Sequence, residues 1–232
     1  MPALDRPLWL AITALSALLA IASAPWALGQ AWLNLVFKPL TTLLIIAMAW
    51  PRGRDTPALR RWVLAGLVLS LAGDVALMWP REGFVPGLVS FLLAHLAYLV
   101  AFTRVQRLGA RRAPFVVYAL VAGAVLALLW PGVPAALRMP VVLYVLALAS
   151  MAAQAAVLWR AAPGDAAARR LALGGALFLT SDALLASNRF AGPLPLASLW
   201  VLASAIIKAT YKGRIQAEVK ACLLYTSPSP RD

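Results

Sequence analysis

The chain alternates between long apolar blocks and short polar connections. Each block is close to the ~20 residues that an α-helix needs to cross the hydrocarbon core of a bilayer. Eight such blocks cover residues 8–24, 33–50, 62–79, 84–103, 114–130, 139–159, 170–188 and 194–211. Helices are the expected form because every backbone polar group must be satisfied inside a span. The pattern predicts an all-α integral membrane protein, a single bundle of about eight transmembrane helices.

Composition excludes a water-soluble domain. Hydrophobic residues make up 63% of the chain and charged residues only 12%, with a mean hydropathy of +0.84. Soluble domains have about 45–50% apolar and about 25% charged residues. The net charge of +13 does not indicate nucleic-acid binding, because the arginines lie in short clusters between apolar blocks and form no basic stripe.

The arginines are distributed asymmetrically between the two sets of connections. The connections after the second, fourth and sixth blocks hold Arg52, Arg54, Arg60, Arg61, Arg104, Arg107, Arg111, Arg112, Arg160, Arg169 and Arg170. The opposite connections hold Arg81, Arg138 and Arg189. Positive loops face the cytoplasm, so both termini are predicted to be cytoplasmic. The Ala, Leu and Arg bias is typical of GC-rich bacteria. The expected location of this multi-pass protein is therefore the bacterial inner membrane.

The C-terminal tail departs from the rest of the chain. The apolar pattern stops after Tyr211, and the segment from Cys222 to Asp232 reads as the in-frame translation of a transposase sequencing adapter. We therefore expect residues 1–211 to form the membrane domain and residues 212–232 to be a non-native tail. Cys222 is the sole cysteine, so no intrachain disulfide is expected.

Five ionisable residues interrupt the apolar blocks: Lys38, Asp74, His95, Asp182 and Lys208. A charge within a span costs about 2.5–3.5 kcal/mol on insertion scales, so such residues are candidates for function. The predicted topology places Lys38, Asp74 and Asp182 in the outer half of the membrane, with His95 just beneath. These four residues are predicted to share one polar cavity, whereas Lys208 is expected to extend toward the cytoplasmic surface.

The chemistry of this set leaves three functions open. Two carboxyl groups in a low-dielectric cavity rarely both ionise, which leaves an acid beside a base and suits hydrolysis. The same residues would serve a proton-coupled small-solute transporter, or would fasten helices in a non-catalytic lipid-binding protein. With one histidine and no HExxH or comparable ligand set, neither a metal nor another cofactor is expected.

Several motifs occur in order along the chain. They are Phe37-Lys38-Pro39-Leu40, Gly73-Asp74-Val75-Ala76-Leu77, the Gly83–Phe91 stretch, Ala94-His95-Leu96-Ala97-Tyr98 and the Gly175–Phe190 stretch. In these residues the sequence resembles the YhhN family of membrane proteins, whose characterised members are lysoplasmalogenases. One departure is that Thr210-Tyr211 is followed by Lys212-Gly213, where the family usually continues with another tyrosine and Ala-Gln.

The resemblance implies hydrolysis of the vinyl ether bond of a lysoplasmalogen, a lysophospholipid held at the bilayer. The products would be a fatty aldehyde and a glycerophospho-base. On this hypothesis Asp74 and Asp182 act as acid and base, without a decision on which is which, and His95 tunes or relays the proton. The headgroup preference and the oligomeric state are not readable from the sequence.

The same hypothesis gives binding roles to five further residues. Lys38 would meet the lipid phosphate near the outer headgroup level. Asn188 and Arg189, at the outer end of the seventh block, would help to hold the headgroup. Tyr98 and Ser181 would orient reacting groups through hydrogen bonds.

Overall fold

Every regular element that the structure describes is helical. The computed structural model describes residues 6–23, 31–51, 54, 56–79 and 82–191. The α-helices in these ranges are α1 (Arg6–Ala22), α2 (Ala31–Ala49), α3 (Pro57–Ala76), α4 (Phe84–Thr103), α5 (Arg112–Leu129), α6 (Arg138–Ala161) and α7 (Ala166–Phe190). Two 3₁₀ turns, Trp130–Gly132 and Ala135–Leu137, join α5 to α6. The predicted eighth span at 194–211, Lys208 and the predicted tail at 212–232 lie outside the described residues.

Five of the described helices are long and apolar enough to cross a membrane: α2, α4, α5, α6 and α7. The apolar part of α1 is shorter and covers Leu8–Ala20. Helix α3 is not in this group, and it carries Arg60, Arg61 and Asp74. The prediction of a multi-pass all-α membrane protein agrees with these helices.

The surface of the bundle is apolar, and the buried face of one central helix consists largely of small residues. Leu120, Leu128 and Met139 are exposed by 69%, 79% and 68% of their area. The buried face of α6 is instead rich in alanine, with Ala152 and Ala155 fully buried. In lipid there is no hydrophobic drive between helices, so small residues that allow close approach line the interfaces. This distribution is the one expected of a protein solvated by lipid.

Helix α4 lies at the centre of the packing. Each of α1, α2 and α3 packs against the next helix along the chain, and α5 and α7 both pack against α6. Helix α4 contacts α3 on one side and α6 on the other. Side chains of α4 therefore reach both the N-terminal and the C-terminal helices.

The boundaries of α3 differ from the predicted span at residues 62–79. The helix begins at Pro57 because proline is pre-organised for the first helical position, where no intrahelical donor is required. Arg60 therefore lies inside the helix, where its Nε donates to the carbonyl oxygen of Trp50 at 3.1 Å. This hydrogen bond satisfies a carbonyl just beyond the C-terminal end of α2.

The α5–α6 connection packs tightly onto the end of α7 at Gly132. A Cβ on Gly132 would overlap the carbonyl oxygen of Phe190, whereas a Cβ on Gly123 of α5 would meet no atom within 4 Å. We expect Gly132→Ala to lower stability by about 1–3 kcal/mol, the usual cost of overpacking. Gly123→Ala is the matched control and is expected to be neutral or stabilising. Thermal unfolding in detergent measures both, and equal midpoints would contradict this account.

Candidate functional site

The Asp74 carboxyl group is buried between α2 and α3. Its residue is 4% exposed, and the hydroxyl of Thr42 donates to Oδ2 at 2.8 Å. The ammonium of Lys38 lies 3.6 Å from Oδ1 and donates to the Asp74 carbonyl oxygen at 3.4 Å. Lys38 and Thr42 are four residues apart on α2, so both face α3. The structure thus brings together Lys38 and Asp74 as an ion pair.

Tyr98 of α4 lies on the same side of the bundle as Asp74. Its hydroxyl is 3.3 Å from the hydroxyl of Ser70, which lies one turn before Asp74 on α3. The Tyr98 ring occupies the space that a Cβ on Gly66 would need, so glycine at this position permits the close approach. Tyr98 of α4 therefore packs on α3 beside the first contact network, which consists of Lys38, Thr42 and Asp74.

Asp182 belongs to a second network between α4, α6 and α7. The hydroxyl of Tyr144 on α6 donates a hydrogen bond to Oδ2 of Asp182. His95, which is 1% exposed, packs edge-to-face against Tyr144 and against Phe178 of α7, with ring centroids 5.3 Å and 5.0 Å apart. His95 therefore helps to hold the ring of the tyrosine that meets the aspartate.

A cavity of about 180 Å³ opens beside this second network. Its wall is apolar apart from Tyr144, Asp182 and Arg189. The other lining residues are Leu77 of α3, Phe84, Leu88 and Phe91 of α4, Ala122, Val125, Leu126 and Leu129 of α5, Val133, then Val141, Val145 and Leu148 of α6, and Phe178, Leu179, Ala183, Leu185, Ala186 and Phe190 of α7. An apolar cavity with a few placed polar groups is the usual form of a small-molecule site.

Polar side chains line part of the cavity wall. The guanidinium of exposed Arg189 lies 4.8 Å from the ring centroid of Phe84, which also lines the cavity. Asp182 lies one turn from Phe178 along α7, and both residues line the wall. Asp182 and Arg189 are seven residues apart, which corresponds to about 10 Å along the helix. A carboxyl group and a cation therefore lie about two helical turns apart in one largely apolar wall.

The predicted site residues fall into two contact networks that α4 connects. Asp182 and Arg189 line the cavity, and His95 touches two of its lining residues. Asp74 does not line the cavity, although Phe91 both lines it and packs against Gly73, the neighbour of Asp74. The sequence predicted Lys38, Asp74 and Asp182 in the outer half of the membrane with His95 just beneath. Depth says nothing about the side of α4 on which each residue lies.

Two other predicted residues are on α7. Ser181 is fully buried and does not belong to the cavity wall. The side chain of Asn188 lies outside the described part of the chain. Within the described residues no three His, Cys, Asp or Glu side chains form a group that could hold a metal ion.

Sequence reasoning missed three polar residues inside the bundle. Thr42 and Tyr144 contact the two aspartates, and Gln154 donates to the carbonyl oxygen of Gln106 at 2.8 Å and thereby holds the α4–α5 connection. Tyrosine is enriched at membrane surfaces, so Tyr144, well inside an apolar block, was a usable signal. Thr42 had no comparable signal, because hydroxyls within helices commonly bond to their own backbone.

Comparison with known proteins connects the chain to one family. The model of the YhhN family matches residues 33–206, which include both networks. Among curated proteins, the membrane proteins YhhN of Escherichia coli O6:H1, Escherichia coli O157:H7 and Shigella flexneri are each 36% identical to the chain over 103 residues. The matched part is 44% of this chain and 49% of each relative, so the chain spans about half the length of these relatives. The names of these relatives state no activity, and no solved structure matches the chain.

Proposed function

The chain belongs to the YhhN family of membrane proteins, and from this membership we propose that it hydrolyses the vinyl ether bond of lysoplasmalogens. The substrate is a single-chain ether phospholipid taken from the bilayer. The products are a fatty aldehyde and a glycerophospho-base such as glycerophosphoethanolamine. This is the activity that the sequence resemblance implies.

The observation that carries the proposal is that a carboxyl group and a cation, those of Asp182 and Arg189, both line one apolar cavity. Asp182 and Arg189 are separated by about 10 Å along α7. This separation is of the same order as the distance from the phosphate to the enol ether carbons in an extended lysoplasmalogen. The phosphate can therefore lie at Arg189 while the vinyl ether lies at Asp182 and the hydrocarbon chain contacts apolar wall.

Asp182 is the residue that we assign to proton transfer, because it is the aspartate that lines the cavity. Its carboxyl proton adds to the β-carbon of the vinyl ether, and the resulting oxocarbenium ion takes up one water molecule. The carboxylate then accepts the proton that this water loses. The hemiacetal collapses to aldehyde and alcohol, so one water is consumed and the acid is regenerated.

The Asp74 network supports this site from the other side of α4. Lys38 is engaged with Asp74, so phosphate binding by Lys38 would compete with the ion pair. We therefore assign the phosphate to Arg189, which lines the cavity and is exposed. We assign Asp74 an indirect role. Gly73 beside it packs against Phe91, which lines the cavity, so Asp74 helps to position that part of the wall.

The detailed topology is part of the proposal. The arginine asymmetry supports eight spans with both termini in the cytoplasm of a bacterium. Arg189, in the last turn of α7, then faces the outer headgroup layer of the inner membrane. A reporter that is active only in the periplasm can be fused after residue 211. Activity of this fusion would contradict the proposed topology.

The test is aldehyde release from lysoplasmenylethanolamine by the purified protein in detergent micelles, quantified by mass spectrometry. The matched control lipid is the saturated 1-O-alkyl analogue, which has no double bond to protonate and must remain intact. Aldehyde from the vinyl ether alone is the expected result. Solute uptake by proteoliposomes without cleavage would favour the transporter, and lipid binding without cleavage or uptake would favour a non-catalytic protein.

A further inference from the structure

We propose that Tyr144 is a positioning residue for the cleavage step. It holds the carboxyl group of Asp182 in place. This inference rests on the proposed function and extends it to a residue outside the motifs that carry the family resemblance. Tyr144 lies on α6 and Asp182 on α7, so their hydrogen bond joins two helices that form the cavity. Both side chains line the cavity wall.

The Tyr144 ring is held by a neighbouring aromatic stack. His95 of α4 packs edge-to-face against it at 5.3 Å, and His95 itself packs against Phe178 at 5.0 Å. His95 is 1% exposed, so this stack is part of the buried interior. Edge-to-face aromatic pairs have preferred geometries, and the three rings therefore restrict the direction of the Tyr144 hydroxyl. Helices α4, α6 and α7 together aim the hydroxyl at Oδ2 of Asp182.

A fixed donor matters for two reasons. First, rotation about the terminal bond of an aspartate is broad, so a hydrogen bond to one oxygen selects the orientation in which the carboxyl group meets the substrate. Second, transfer of the proton to the vinyl ether leaves a negative charge on Asp182 inside an apolar cavity. A hydroxyl donor already in place stabilises that charge without reorganisation at the moment of reaction.

The variant Tyr144→Phe removes the hydroxyl and keeps the ring that packs against His95. We expect kcat to fall about 10²-fold, the scale seen when one preorganised donor to a developing charge is removed. KM is expected to change little, because the hydroxyl acts through Asp182 and makes no required contact with the lipid. Tyr118→Phe is the matched control, since Tyr118 on α5 is half-buried and does not line the cavity.

The experiment measures kcat and KM for aldehyde release by the parent, Tyr144→Phe and Tyr118→Phe, with the thermal midpoint of each. The carboxyl stretching band of Asp182, identified by its loss in Asp182→Asn, is recorded by infrared spectroscopy. The proposal is supported if Tyr144→Phe alone shows a shifted band and a reduced kcat, while its thermal midpoint equals that of the parent. Parent-like kcat, a raised KM at unchanged kcat, or an unshifted band would each overturn it while the proposed function stands. An inactive parent would overturn both.

Discussion

Asp182→Asn is expected to lower aldehyde release by about 10³-fold or more. The amide keeps the size of the carboxyl group and an oxygen that accepts from Tyr144, but it has no acidic proton to give to the vinyl ether. Removing a positioned general acid typically costs 10²–10⁴-fold, so ~10³-fold is the central expectation. Because the amide oxygen can still accept from Tyr144, the contact between α6 and α7 is kept and the fold is expected to tolerate the change.

The matched control for this variant is Glu82→Gln, the same chemical change at an exposed position in the α3–α4 connection. It is expected to retain the activity of the parent. The measurement is turnover of lysoplasmenylethanolamine, with the thermal midpoint of each variant recorded beside it. Turnover near that of the parent in Asp182→Asn would remove this residue from the mechanism.

Lys38→Met is expected to be the most destabilising of the substitutions considered, at about 3 kcal/mol. The Asp74 side chain is 6% exposed, so loss of the cation leaves a buried carboxyl group without its charge compensation. Breaking a buried ion pair from one side costs about 3–5 kcal/mol. The lower value applies because the Lys38 side chain is 31% exposed and the pair is partly solvated.

Asp74→Asn, which removes the other charge of the ion pair, is expected to cost less stability than Lys38→Met. In Asp74→Asn the amide can still accept from Thr42, and the partly exposed lysine can extend toward the headgroup level. The double variant, Lys38→Met with Asp74→Asn, should therefore be more stable than Lys38→Met alone. Thermal or denaturant unfolding of all four proteins in one detergent gives the double-mutant cycle. Additive effects of the two single changes would contradict a direct interaction between these residues.

These two sets of variants separate the roles of the two aspartates. Changes at Asp182 are expected to reduce turnover at constant stability, because its carboxyl group faces the cavity. Changes at the Lys38–Asp74 pair are expected to reduce stability first, since the pair joins α2 to α3. The opposite pattern would assign the chemistry to Asp74 instead.

The main features of the fold were predictable from residue order. Long apolar blocks predict spanning helices because lipid offers no hydrogen-bond partners to the backbone. The helices from α2 to α7 occur where these blocks predict them, with boundaries moved by a few residues. Lys38, Asp74, His95 and Asp182 were identifiable as candidates because charge inside an apolar span is costly.

The partners of those residues were not predictable in the same way. The sequence indicates depth, since each helical residue adds a fixed rise along the axis. It does not indicate which neighbour a side chain faces, because that depends on how closely the helices pack across small residues such as Gly66 and Gly73.

By itself, therefore, the sequence determined that this is a multi-pass helical membrane protein, and it identified the few ionisable residues within its apolar blocks. Only the tertiary structure decided that Lys38 and Thr42 meet Asp74, that Tyr144 meets Asp182, and that one aspartate lines a cavity. The physical reason is that hydropathy is a property of each residue along the chain. A hydrogen bond or a cavity arises only when residues of several helices come together around α4.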